Sequence, residues 1–206
     1  MPGYQAVADA LLALADAQGA TQALGVSLGA SAILRVLAAD PGRFARVVLY
    51  LPAALDESSA FAVRRATDLA AALRARDAAA VEALVRTELP DVPGIDPYVA
   101  QRTAYLLSSD LVPLLEALQH DPPVPHRSLL ERVEAEVLVV AERDDPVHPL
   151  EVGEALAAAL PGARLEVFGR GALWTERVRL RTVISAFLDG PSGATSAGRP
   201  GDAPGP

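Results

Sequence analysis

Between a short apolar run and a longer helix-periodic one, the chain reads Gly25-Val26-Ser27-Leu28-Gly29. This junction constrains the fold more than any other feature. A strand that enters a helix through so short a turn must hold its middle residue in a strained backbone conformation, and flanking glycines let strand and helix approach without Cβ clashes. The pattern therefore predicts a strand, a tight turn carrying Ser27 at the carboxyl edge of a sheet, and a helix whose first N–H groups lie beside it.

The surrounding sequence agrees with that order. Val7, Leu11 and Leu14 fall at i, i+4 and i+7, one stripe of a helix over about Tyr4 to Gln18, with Gly19 placed to close it. TQALGVS supplies the strand, and ASAILRVLAAD continues as a helix until Asp40-Pro41 stops it. Ala45 to Pro52, Glu136 to Glu142 and Arg164 to Gly169 are apolar, β-branched runs of the kind found in strands covered on both faces, and EVGEALAAAL between the last two is helical. Strands alternating with helices predict an α/β fold with a mostly parallel sheet and flanking helices.

Residues 56–132 contain no convincing strand but several helical patterns, interrupted at Pro90 to Gly94 and at Asp121 to Pro125. We read them as a helical cap inserted into a core formed by residues 1–55 and 133–189. Ser128 and Glu131 have capping-box spacing, which predicts a short helix before the next strand. The tail over 190–206 has too few apolar residues to offset its ordering entropy and is expected to be disordered.

Several function classes are excluded or disfavoured. A net charge of −8 argues against nucleic acid, whose binding needs a concentrated basic surface. No apolar run approaches the roughly 18 residues of a membrane-spanning helix, so a membrane is not an expected partner either. Cysteine is absent, which removes disulfides and thiolate chemistry, and three scattered histidines offer little to a metal. No cofactor or metal is implied. The N-terminus has no basic segment, and Asp9 and Asp16 interrupt its apolar stretch, so a cytoplasmic location is the default.

From about Thr21 to Leu188 the chain resembles the α/β-hydrolase family. Gly25-Val26-Ser27-Leu28-Gly29 looks like that family's nucleophile elbow, and the segment ERDDPVHPLEVGEALAAALPGARLEVFG looks like its acid loop with the following helix and last strand. The resemblance implies Ser27 as nucleophile, the Leu28 N–H as an oxyanion donor, and Asp145 as the acid. Asp144 is its neighbour and Asp56 a weaker substitute. Apolar cap residues, including Phe61, Leu69, Leu73, Leu84, Tyr98, Tyr105 and Leu111, are expected chiefly in the helical core, with an acyl-sized pocket as the alternative. Trp174 either borders the site or packs under the final helix.

The chain departs from the family in two places. Where a histidine is expected after the last strand the sequence reads Gly169-Arg170-Gly171-Ala172-Leu173-Trp174, with Ala172 at about the histidine position. Without a base Ser27 is an ordinary alcohol. His148, on the loop of Asp145, is the alternative base, although Pro149 is expected to open a helix and leave His148 near its N-cap. His120 and His126 flank the Pro-rich end of the cap, where hydration is the expected role. The family also places several strands and a second oxyanion donor before the serine turn, whereas one helix precedes it here. A late start codon, a truncation, or assembly with another chain would each produce that. The expectation is a protein related to ester or amide hydrolases, impaired or inactive by itself. Its partner, if active, would be a small-molecule ester or amide. The alternative is a non-catalytic binding or assembly protein, self-associating through an incomplete sheet.

Overall fold

Four strands pair in parallel and in chain order, β1 (Gln22–Val26), β2 (Arg46–Tyr50), β3 (Glu136–Glu142) and β4 (Arg164–Phe168). The computed structural model describes residues 3–58 and 60–190. Its helices are α1 (Tyr4–Ala17), α2 (Leu28–Ala39), α3 (Ala60–Ala75), α4 (Ala78–Glu88), α5 (Asp96–Ser108), α6 (Val112–Leu118), α7 (Leu150–Ala159), α8 (Ala172–Thr175) and α9 (Arg177–Asp189), with a 3₁₀ helix at Arg127–Arg132. Strand positions expected from the sequence agree to within two residues. Apart from Gly190, the tail expected to be disordered lies outside the described residues.

The period of two along β2 explains why the sheet is covered on both faces. Val47 and Leu49 join Val137 and Val139 in a core with Ile33, Leu34 and Leu37 of α2 and Leu156 of α7. Val48 and Tyr50 point the other way, with Leu138 and Val140, onto Leu180 and Phe187 of α9. Every β2 residue is buried, which accounts for its unbroken apolar sequence. Burying each leucine or isoleucine on α2 contributes about 1.5–3 kcal/mol. β1 is an edge strand, and Leu24 and Val26 on it stay 46% and 47% exposed.

The described residues between 51 and 135 contribute no strand, as the sequence implies. Helices α3 to α6 form a core of their own around Leu69, Leu73, Val81, Val85, Val99 and Leu106. Asp77 caps α4 by accepting from the Ala80 N–H at 3.0 Å. Arg170, just after β4, donates to the carbonyls of Thr87 and Leu89 at 2.9 and 3.1 Å, tying this helical layer to the sheet.

Two local expectations need correction. The Ser128–Glu131 box does not form: the short helix there is 3₁₀, its N-cap is His126 with no side-chain capping bond, and Ser128 lies inside the turn. Pro149 is the N-cap of α7 rather than its first residue, so His148 stands one residue further out and is free of the helix.

Candidate functional site

Ser27 follows β1 directly and stands at the N-cap of α2, with φ 51° and ψ −109°. A non-glycine residue in that region is strained and persists only where its surroundings over-determine it. They do so here. A Cβ on Gly25 would overlap the backbone of Gly29 and lie 2.6 Å from the Ala30 nitrogen, so only glycine lets β1 and α2 meet. Gly29 differs from the sequence expectation, because a Cβ there would meet nothing within 4 Å. The Ser27 N–H continues the sheet by donating to the Tyr50 carbonyl at 2.9 Å, while its side chain caps nothing in α2. The hydroxyl is therefore available to another partner.

That partner is His148. The Ser27 Oγ and His148 Nε2 are 2.9 Å apart, and His148 Nδ1 is 2.9 Å from Asp145 Oδ2. An ionised carboxylate only accepts, so Nδ1 carries the proton toward Asp145, and in the neutral ring Nε2 is left as the acceptor of the Ser27 hydroxyl. Asp145, His148 and Ser27 thus form one line of hydrogen bonds, with Asp145 and His148 buried. An imidazole held this way can take a proton from the serine and return it to a leaving group.

The sequence of the loop explains how base and acid come together. Asp145 Oδ1 accepts from the backbone N–H of Val147 at 2.8 Å and of His148 at 3.1 Å, an Asx-turn that folds Asp-Pro-Val-His back on its own carboxylate. The other oxygen then meets the His148 ring. Burial raises the Asp145 pKa, but the hydrogen bond and charge of His148, with the two N–H groups, outweigh it and hold the carboxyl below the ordinary carboxylate range.

Other sequence candidates fall elsewhere. Asp144 is exposed, with φ 60°. Asp56 is engaged by Arg127 through two bonds of 2.7 and 2.8 Å. His120 lines a separate cavity of about 670 Å3 with Arg74, Glu116 and Asp121, which contains none of the Ser27 cluster. Ala172 is buried at the start of α8. Leu28 is the first residue of α2, so its N–H has no intrahelical acceptor.

Two buried groups near the site gave no signal in the sequence. Glu142, the last residue of β3, accepts from the N–H groups of Gly171 and Ala172 at 2.5 and 3.0 Å and from the Tyr50 hydroxyl at 2.6 Å. Burial and the Glu142 carboxylate push the Tyr50 phenol far above its ordinary pKa, so it remains a donor. Glu142 thereby fixes the turn after β4. That turn also packs on the helical layer, because a Cβ on Gly171, at φ 74°, would overlap Pro90.

Two cavities of about 200 Å3 each open at Ser27. One contains His148, Asp145 and Glu142 and is walled by Tyr98 and Trp174, whose rings meet edge to face at 5.4 Å. The other contains Leu28 and runs between Leu69, Leu106, Leu111 and Leu115, with Arg65 and Arg102 on its wall. Of the apolar residues singled out in the helical layer, Leu73 belongs to its core, while Phe61 and Tyr105 are partly exposed and line neither cavity. No group of three or more metal-ligating side chains occurs among the described residues, and no described helix is long and apolar enough to cross a membrane.

Four parallel strands with helices on both faces and a strained serine between the first strand and its helix define a partial α/β-hydrolase fold, and the chain is an α/β-hydrolase-fold protein. It is similar to a hydrolase from Pseudomonas aeruginosa PA01, at 25% identity and TM-score 0.70 over 91% of this chain and 72% of that one. An esterase from Exiguobacterium antarcticum matches at 16% identity and TM-score 0.77, over 91% of this chain and 74% of that one. The carboxylesterase CesB from Bacillus subtilis matches at 19% and 0.73, over 93% and 68%. No protein-family model and no curated protein sequence matches the chain.

Proposed function

We propose that this chain is a serine hydrolase of carboxylic esters or amides in which His148 replaces the histidine missing at Ala172. The observation that carries the reading is the pair of 2.9 Å contacts joining Ser27, His148 and Asp145. In this reading the 1–55 and 133–189 segments are the catalytic core and residues 56–132 its cap. Ser27 attacks the carbonyl carbon as His148 Nε2 takes its proton. The Leu28 N–H stabilises the oxyanion, and the imidazolium, held by Asp145, protonates the departing alcohol or amine. Water then repeats the steps on the acyl-enzyme. The impairment expected from the sequence rested on the lack of a base and of a second oxyanion donor; in this reading His148 is the base, and the Leu28 N–H is the one oxyanion donor assigned. Two of the neighbouring folds described above are esterases by name, which favours esters.

The test is hydrolysis of p-nitrophenyl butyrate by the purified chain, its Ser27→Ala variant and its His148→Ala variant, with fluorophosphonate labelling of each. Turnover and labelling that disappear with Ser27→Ala are expected. A chain that neither labels nor turns over would overturn the proposal. The second reading, a non-catalytic assembly protein, would then gain, and what favours it is the half-exposed Leu24 and Val26 on the β1 edge.

A further inference from the structure

The two cavities at Ser27 also share Val147, Glu88 and Arg102, so they adjoin at the serine. Only one of them reaches His148, and only the other reaches Leu28. In acyl transfer the tetrahedral carbon on Ser27 Oγ carries an oxyanion, a leaving group and an acyl chain. The imidazolium protonates the leaving group, which puts the alcohol on the His148 side, and the acyl chain is left to the cavity beside Leu28.

One side of that cavity is α6. Leu111, its N-cap, and Leu114, Leu115 and Leu118 fall at i, i+3, i+4 and i+7, a single apolar stripe, and all four line the cavity. A leucine stripe of this kind ordinarily faces a core, yet no residue of α6 is buried. Leu111 and Leu115 pack against the core of the helical layer, whereas Leu114 and Leu118 join none of the three hydrophobic cores among the described residues. The apolar space beside those two leucines is the cavity. On the outer face of the helix Glu116 is exposed and pairs with Arg74. Buried Leu69 of α3 and Leu106 of α5 continue the wall.

Charge on the wall is already committed or faces solvent. Arg65 is held by the Glu88 carboxylate and the Leu84 carbonyl, and Arg102 is exposed. An uncharged aliphatic chain therefore fits the lining better than a polar one. At about 200 Å3 the cavity is smaller than the roughly 300–1,000 Å3 of a drug-sized pocket. With about 30 Å3 for each group the size of a water molecule, it takes about six or seven methylenes.

We infer that the acyl group transferred to Ser27 is an uncharged aliphatic chain of up to about eight carbons, and that Leu114 and Leu118 set this limit. The inference rests on the hydrolytic reading of Ser27, His148 and Asp145. Water cleaves the acyl–oxygen bond, the alcohol leaves with the proton from His148, and the fatty acid is released.

The experiment measures kcat/KM for p-nitrophenyl esters from acetate to dodecanoate, together with calorimetric binding of the acetate and hexanoate to the Ser27→Ala chain. Each methylene buried in the cavity should raise kcat/KM by about fourfold, and the rise should stop near octanoate. Leu118→Ala should carry the rise on by about three carbons, the number it removes, and Leu118→Trp should end it earlier. Leu114→Ala is the second enlarging variant should Leu118→Ala fail to fold. Val112→Ala, on the same helix but outside the cavity lining, should leave the limit in place. A profile without a limit, or a limit that moves with Val112→Ala or with none of the leucine variants, overturns the assignment. A chain that hydrolyses every ester alike loses the leucine site and keeps the hydrolase. One that neither turns over nor labels with fluorophosphonate, but binds the hexanoate over the acetate until Leu118→Trp is added, keeps the apolar site and loses the triad. Absence of that binding preference as well removes both.

Discussion

His148 lies three residues beyond Asp145 on one loop, with its Nδ1 2.9 Å from that residue's Oδ2, so the carboxylate and the imidazole it contacts arise from a single Asx-turn. Where acid and histidine come from separate loops, their alignment depends on how those loops dock. Here Asp145 Oδ1 and Oδ2 act on the backbone and the ring of the same short segment, and the alignment is local.

This arrangement predicts opposite outcomes for two histidine substitutions. His148→Ala should lower kcat/KM for p-nitrophenyl butyrate by about 100-fold to 10,000-fold, the usual contribution of a general base. Ala172→His should add no activity. Ala172 is fully buried, its N–H bonds Glu142, and an imidazole there overpacks the site at a cost of about 1–3 kcal/mol. Steady-state rates and urea unfolding of both variants check the pair.

The site was only half legible in the sequence, for a physical reason. Gly25 and Ser27 announce their turn because its backbone strain admits few residue types, and β2 announces itself because both its faces are buried. His148 carried no comparable signal. Its role depends on the fold bringing β1 and the loop after β3 together across β2, which no local pattern states. Glu142 was missed likewise, since a lone charged residue reads as exposed until tertiary structure buries it.

The two glycines around Ser27 should respond differently to alanine. Gly25→Ala drives a Cβ into the backbone of α2 and should prevent the turn from forming, with loss of several kcal/mol or of soluble expression. Gly29→Ala meets open space within a helix and should leave stability unchanged or raise it by up to about 1 kcal/mol. Thermal melts of the two proteins make the comparison.

Tyr50→Phe should cost about 1–3 kcal/mol in urea unfolding, because it removes one of three donors from the buried Glu142 carboxylate. The loss should be larger for Glu142→Gln, which replaces an acceptor of the Gly171 and Ala172 N–H groups with an amide able to satisfy only part of them.

Asp145 links the site to pH with a definite sign. His148 and two backbone N–H groups hold its carboxyl below the ordinary range, and an unfolded aspartate titrates near about 3.9. The folded state therefore binds this proton less readily than the unfolded chain. The resulting stabilisation is fully present above the unfolded value and is lost as pH falls through the lower, folded one. Asp145→Asn tests both consequences. The amide oxygen can still accept from Val147 and His148, so the loop should persist, but the melting temperature should fall less steeply below about pH 4 than in the unsubstituted chain. Its NH2 group would face His148 Nδ1 and force the ring proton onto Nε2, where it opposes the Ser27 hydroxyl. Activity at neutral pH should then fall by about 10,000-fold while the protein stays folded. Ester hydrolysis and circular dichroism melts between pH 3 and pH 8 read the two effects separately, and an active Asp145→Asn enzyme would show that the carboxylate does not set the tautomer of His148.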